Sequence, residues 1–150
     1  MEVQQDFNEL LKLFNARKVE YVIIGAYALA FHGAPRYTGD IDVLVKPEQD
    51  NARKVLNALN DFGFTGLDLS SDDFSFPGNV VQLGVQPERI DIVTSITGLT
   101  WEQIAANRVS GVYGDIPVYY IGKKDFIANK KALGSHKDLA DIEALGEEGD

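Results

Sequence analysis

Three aspartates carry the chemistry that this sequence offers. Asp40 and Asp42 stand two apart in Gly39-Asp40-Ile41-Asp42-Val43-Leu44-Val45, and Asp91 stands in Arg89-Ile90-Asp91-Ile92-Val93. On a strand, successive side chains point to opposite faces. Asp40 and Asp42 then share one face, and Ile41, Val43 and Val45 share the other, which is the core side. Two carboxylates held together repel, and each resists ionisation. A divalent cation between them removes that cost, and Mg²⁺ keeps coordination positions for water and phosphate oxygens. Asp91 lies between isoleucines, where a carboxylate is costly unless it faces a polar cleft or a metal. If its strand neighbours that of Asp42, a spacing of about 4.8 Å puts all three acids within reach of a metal pair about 3.5–4 Å apart. Upstream, Gly25 and Ala26 open a short helix. Small residues there let phosphate oxygens approach free backbone N–H groups. A Mg²⁺-bridged triphosphate is the ligand that satisfies both ends.

The elements that must hold these residues follow from periodicity. Phe7, Leu10, Leu11, Leu13 and Phe14 have helical spacing, which predicts an amphipathic helix over 6–17. Residues 21–24 read as a buried strand broken by Gly25, and residues 26–32 as a small helix ended by Gly33 and Pro35. Residues 40–45 are the second strand. Pro47 opens a helix through Ala52, Val55, Leu56, Leu59 and Phe62 that Gly63 stops. Residues 65–79 read as a polar loop. Residues 80–85 and 89–94 form one hairpin, and 109–113 and 116–121 a second around Gly114-Asp115. Thr100 is the expected N-cap of a helix over 101–107. Residues 125–133 form a helix ending at Gly134, and Ser135 with Asp138 has capping-box spacing for the last one. The order argues α/β or α+β architecture. The reading is of one domain over 1–150, with residues 146–150 an acidic, frayed tail.

Composition narrows the function. The 150 residues include no cysteine and two histidines, His32 and His136. Thiolate nucleophiles, cysteine-bound metals and multi-histidine sites are therefore set aside, and any metal is a hard cation on carboxylates. A net charge of −9 argues against binding long duplex nucleic acid, which needs a basic face. It leaves room for one nucleotide or an RNA end in a local pocket. MEVQQDFNEL has neither the basic nor the apolar region of a signal peptide, and the longest mainly apolar run, 21–31, is too short for a bilayer span. The expectation is a cytoplasmic protein with no membrane partner.

Gly25-Ala26, then Asp40-Ile41-Asp42, then the distant Asp91 resemble the polymerase-beta-type nucleotidyltransferases. The wording HGAPRYTGDIDVLV is similar to the small stand-alone members related to abortive-infection nucleotidyltransferases. Ile127-Ala128-Asn129-Lys130 and Lys137-Asp138-Leu139-Ala140-Asp141-Ile142 resemble their C-terminal helices. The resemblance implies a mixed sheet flanked by helices, with a C-terminal helical pair. It implies two Mg²⁺ (or Mn²⁺) on Asp40, Asp42 and Asp91, and triphosphate contacts from Gly25 and Ala26. It further implies a pocket mouth lined by Arg36 and Thr38, and Lys130 and Lys137 facing phosphates or acceptor. The activity implied is transfer of a nucleotidyl group from an NTP to an acceptor hydroxyl or phosphate. The acceptor would be a small molecule, a protein side chain or an RNA end, in a toxin-antitoxin-like setting.

Two positions depart from the family. Ala26 stands where many members have Ser or Gly, which removes a hydroxyl contact to phosphate. Ser135 stands where relatives often carry Arg. Both favour the competing reading, a degenerate module that binds nucleotide or a partner protein. A third reading is a plain acidic cation site. Bland roles also stand beside the functional ones: Arg36 as a counter-ion of Asp40 or Asp42, Thr38 as a turn residue, and Lys123, Lys124, Lys130, Lys131 and Lys137 as a solvated helix face. His32 reads as a packed helix-end residue. Trp101, Phe74 and Phe76 read as packing residues, with Phe74 or Phe76 reaching a base only if the 65–79 loop covers the cleft.

Overall fold

A computed structural model describes residues 3–34, 39–64, 68–84 and 88–146. Among these, α1 (Gln5–Ala16) leads into β1 (Tyr21–Ile24), α2 (Gly25–Phe31), β2 (Ile41–Val45) and α3 (Gln49–Phe62). The short α4 (Asp72–Ser75), β3 (Val80–Leu83), β4 (Ile90–Val93) and α5 (Trp101–Asn107) follow. The chain closes with β5 (Val109–Tyr113), β6 (Ile116–Tyr120), α6 (Lys123–Leu133) and α7 (His136–Ala144). The architecture is α+β, with the expected C-terminal helical pair.

The strands form one mixed sheet in the order β3-β4-β2-β1-β6-β5. Both expected hairpins form as antiparallel pairs, β3 with β4 and β5 with β6. The central pairings are non-local: β1 runs antiparallel to β2 and parallel to β6, and β2 runs parallel to β4. Parallel neighbours need long crossovers, and α3 with α4 lies in the one joining β2 to β4.

Apolar periodicity explains the packing. Phe7, Leu10, Leu11 and Phe14 of α1 are buried, as are Ala52, Val55, Ala58 and Leu59 of α3. Ile41, Val43 and Val45 are buried as expected, and Leu44 on the other face is equally so, at 1% exposed. Strand β2 is thus covered on both faces, and Asp42 is the position where the cover stops. Gly63 caps α3 in the left-handed region, as glycine readily does. The capping boxes Thr100–Gln103 and Ser135–Asp138 both close.

The expected polar loop over 65–79 is only partly a loop. Asp73 accepts from the Ser70 N–H at 2.8 Å, the Ser75 hydroxyl donates to Ser71 O, and the turn so formed sinks Phe74 fully into the core. Apolar burial of that ring offsets the cost of ordering a polar segment. Phe74 is therefore unavailable to a base, whereas Phe76 is 60% exposed. Trp101 is 9% exposed and part of the core. No helix of the described residues is long and apolar enough to cross a membrane.

Candidate active site

Strand pairing brings Asp42 and Asp91 together. They are direct partners in the parallel β2–β4 register, so their side chains leave the same face from strands about 4.8 Å apart. Asp91 is 8% exposed. Burial, reinforced by the neighbouring Asp91 and Asp40, pushes the Asp42 carboxyl up to about 6, against a partial pull downward from Lys130. Burial is the larger cause, and the neighbouring acids add to it.

Asp40 is held by Arg89 in this structure. It precedes β2, accepts the Arg89 backbone N–H at 3.1 Å and lies 3.4 Å from the Arg89 guanidinium. The same guanidinium grips Asp91 with two hydrogen bonds, Nε to Oδ1 at 2.7 Å and Nη2 to Oδ2 at 3.0 Å. Such a fork is the strong form of Arg–carboxylate contact. Arg89 thus ties Asp40 to Asp91 and leaves Asp42 outside the clamp. Among the described residues no group of three or more His, Asp or Glu side chains is arranged to hold a metal ion. The donor set still suits a hard cation, because Asp42 and Asp91 offer adjacent oxygens, and burial together with the neighbouring acids makes charge on Asp42 costly without one.

Gly25 is fixed by this site. Its φ is +70°, a conformation that favours glycine. A Cβ there would overlap the Asp42 carboxylate oxygen Oδ2. Ile24 pairs with Asp42 across β1 and β2, which sets the approach. Ala26 is buried at 8% exposed in the first turn of α2.

A cleft of about 240 Å³ opens here, lined by Gly25, Asp42, Ile96, Thr97, Asn129 and Lys130 among others. Lys130 projects from α6 with its side chain 16% exposed, 3.6 Å from Asp138 and 3.9 Å from Asp141 of α7. Lys137 is exposed on α7 and is not among the residues lining this cleft. The structure therefore brings Gly25, Asp42, Asp91 and Lys130 together, attaches Asp40 through Arg89, and leaves Lys137 outside. Arg36 and Thr38 lie outside the described residues. His32 is engaged structurally, its Nε2 2.6 Å from Ile121 O.

Sequence reasoning passed over two residues here. Arg89 carried a readable signal, two residues before Asp91 at strand period and so able to share its face. Asn129 carried less; its amide donates to Thr97 O at 2.9 Å, a contact 32 residues apart that no local pattern encodes.

No curated protein matches the chain. Solved structures share its fold. The lincomycin-bound lincosamide antibiotic adenylyltransferase LnuA matches with a TM-score of 0.60 at 17% identity, over 97% of this chain and 98% of that one. The antibiotic-resistance factor ANT(2'')-Ia matches with a TM-score of 0.61 at 12% identity, over 93% of this chain and 80% of that one. TM1012 of Thermotoga maritima matches with a TM-score of 0.56 at 14% identity, over 93% and 86%. A family model described as nucleotidyltransferase of unknown function (DUF6036) matches residues 1–146. With Asp42 and Asp91 side by side against a glycine turn on this sheet, and with that match across nearly its whole length, the chain belongs to this nucleotidyltransferase family.

Proposed function

We propose that the chain transfers a nucleotidyl group from an NTP to a hydroxyl of a small-molecule acceptor. The acceptor oxygen would bond to the α-phosphorus, the bond from that phosphorus to the bridging oxygen would break, and pyrophosphate would leave with the electron pair. The observation that carries this reading is the registered pair Asp42 and Asp91 facing Gly25. A glycine held against a carboxylate leaves backbone and acid open to one ligand that carries both phosphate and cation. Small-molecule acceptors are favoured because two fold neighbours are named for antibiotics, and because a chain of net charge −9 repels a long polyanion.

Asp42 and Asp91, with Asp40 once released from Arg89, would hold Mg²⁺. When bound, the ion would lower the pKa of the acceptor hydroxyl and stabilise the leaving pyrophosphate. The chain's own groups do the rest. Lys130 sets positive charge beside Asp42 for the phosphates. Gly25 keeps a side chain out of the phosphate path. Arg89 holds Asp91 in one rotamer.

A second reading, a module that binds nucleotide or a partner protein without transfer, draws on Arg89, whose clamp occupies oxygens that a metal would need. Calorimetry with ATP, GTP, CTP and UTP, with and without Mg²⁺, on the natural chain and Asp42→Asn separates the readings. Metal-dependent binding lost in the variant is the expected result. NTP binding indifferent to both metal and variant supports the second reading, and no NTP binding under any condition overturns the first.

A further inference from the structure

A second cavity, of about 330 Å³, lies further along the same strands. Its walls include Leu44, Pro47, Ile96, Leu99, Trp101 and Ile104. Leu44 is two residues beyond Asp42 and on the same face of β2, a rise of about 7 Å. Ile96 lines both this cavity and the cleft that holds Asp42. The two spaces therefore lie in file on one face of the sheet, with one side chain common to their walls.

The chemistry of the walls restricts the occupant. Apart from the exposed Glu102 of α5, the charged and hydroxyl side chains on the lining have partners within the protein. Lys46 Nζ lies 3.1 Å from Glu48 and 3.5 Å from Glu20. The Thr94 hydroxyl accepts from the Asn79 N–H at 2.9 Å, the Ser95 hydroxyl from the Gly78 N–H at 2.8 Å, and the Thr100 hydroxyl from the Gln103 N–H at 3.2 Å. What the cavity offers an occupant is chiefly aliphatic and indole surface. Its volume is at the lower end of ligand cavities, which run from roughly 300 Å³ upward. The one acid on these walls, Glu102, is exposed on α5, and a polyanion would find the one wall lysine already paired.

We propose that this cavity holds the apolar body of the acceptor, an uncharged ring or branched alkyl portion, and that the acceptor's hydroxyl extends past Ile96 to Asp42 and Asp91. The proposal rests on the nucleotidyl-transfer reading and narrows its acceptor to amphipathic small molecules.

Trp101 makes the test direct. It is the only tryptophan in the chain, so the indole N–H region of a ¹H–¹⁵N spectrum contains one peak, and that peak reports the cavity. 2-Naphthol, an apolar bicycle with one hydroxyl, is the probe, and spermine is the charged contrast. Naphthol should shift the peak saturably, and spermine should not. Leu99→Phe, which fills the cavity, should weaken naphthol binding tenfold or more. Leu99→Ala, which enlarges it, should retain binding and covers the case in which the larger ring disturbs folding. The naphthol shift should persist at saturating ATP and Mg²⁺.

No shift with naphthol, or equal binding by Leu99→Phe, overturns the cavity as a ligand site. Displacement of naphthol by ATP and Mg²⁺ gives the cavity to the nucleobase and overturns the acceptor assignment. A naphthol shift in a chain that binds no NTP sinks the nucleotidyl-transfer reading and the acceptor role with it, while the apolar site stands.

Discussion

Strands β2 and β4 present opposite environments along one face of the sheet. At the acid end, Asp42 and Asp91 are neighbours, Arg89 compensates Asp91 and Asp40, and Asp42 is left with a carboxyl pushed up to about 6. At the apolar end, Leu44 is almost fully buried, the wall lysine and hydroxyls have partners, and what remains is chiefly volume. The acid end is electrostatically incomplete and calls for a charged ligand. The apolar end is complete and calls only for something to fill it. A ligand pair with a charged half and an uncharged half fits that division, because charge complementarity gives specificity and apolar burial gives affinity in proportion to area.

The sharpest break in the comparison is Asp42→Asn. Binding of NTP with Mg²⁺ should fall about 100-fold, the size of a lost charge contact in a partly buried site, as read by calorimetry. Stability should move the other way. The Asp42 carboxyl has a folded-state value of about 6 against 3.8 for an unperturbed aspartate. The folded chain then holds the extra proton in that window, so this residue lowers metal-free stability as pH rises from about 4 to about 6. Asp42→Asn should therefore melt higher than the natural chain at pH 8, with the gain shrinking as pH falls below 6. A lower melting temperature at pH 8 would contradict the electrostatic account.

Leu44→Ala tests the other end. Truncating a buried leucine costs about 2–5 kcal/mol. That loss should appear in thermal or denaturant melts equally at pH 5 and pH 8, because no titrating group is involved. A cost confined to one of those pH values would mean that the two ends are coupled.

Gly25→Ala should cost about 1–3 kcal/mol for a non-glycine residue at positive φ, with the overlap on Asp42 added. Pairing it with Asp42→Gly separates the two causes: relief of part of the loss in the double variant identifies the overlap, and strict additivity leaves only the backbone.

Arg89→Ala should lower the melting temperature, more at low salt, because it leaves the largely buried Asp91 beside Asp42 without its counter-charge. Mg²⁺ should raise the melting temperature of this variant more than that of the natural chain. An equal rise in both would show that the clamp and the cation do not compete.

Much of this was legible in the residues. The strand over 21–24, the glycine turn, the alternation in β2, both hairpins, the Thr100 cap and the Ser135–Asp138 capping box depend on neighbours within a few positions, and those interactions are written locally. Phe74 marks one limit: the surrounding TGLDLSSDDFSFPGN is polar, and only the chance to bury one ring against α3 turned part of it into a helix. Asp40 marks another. Period-2 spacing put it with Asp42, and its contact with Arg89, 49 residues away, is one that no local pattern encodes.

The sequence by itself determined which residue types were available: hard oxygen ligands without thiolates, a glycine before a short helix, and acids at strand spacing. Tertiary structure decided which of them meet. It chose the β2–β4 register that sets Asp42 beside Asp91, the α6–α7 pairing that turns Lys130 into the cleft, and the gap behind Ile96 that remains as a cavity. The reason is the range of the interactions. Propensity, capping and alternation act over a few residues, whereas strand register and cavity shape depend on which distant apolar faces bury each other.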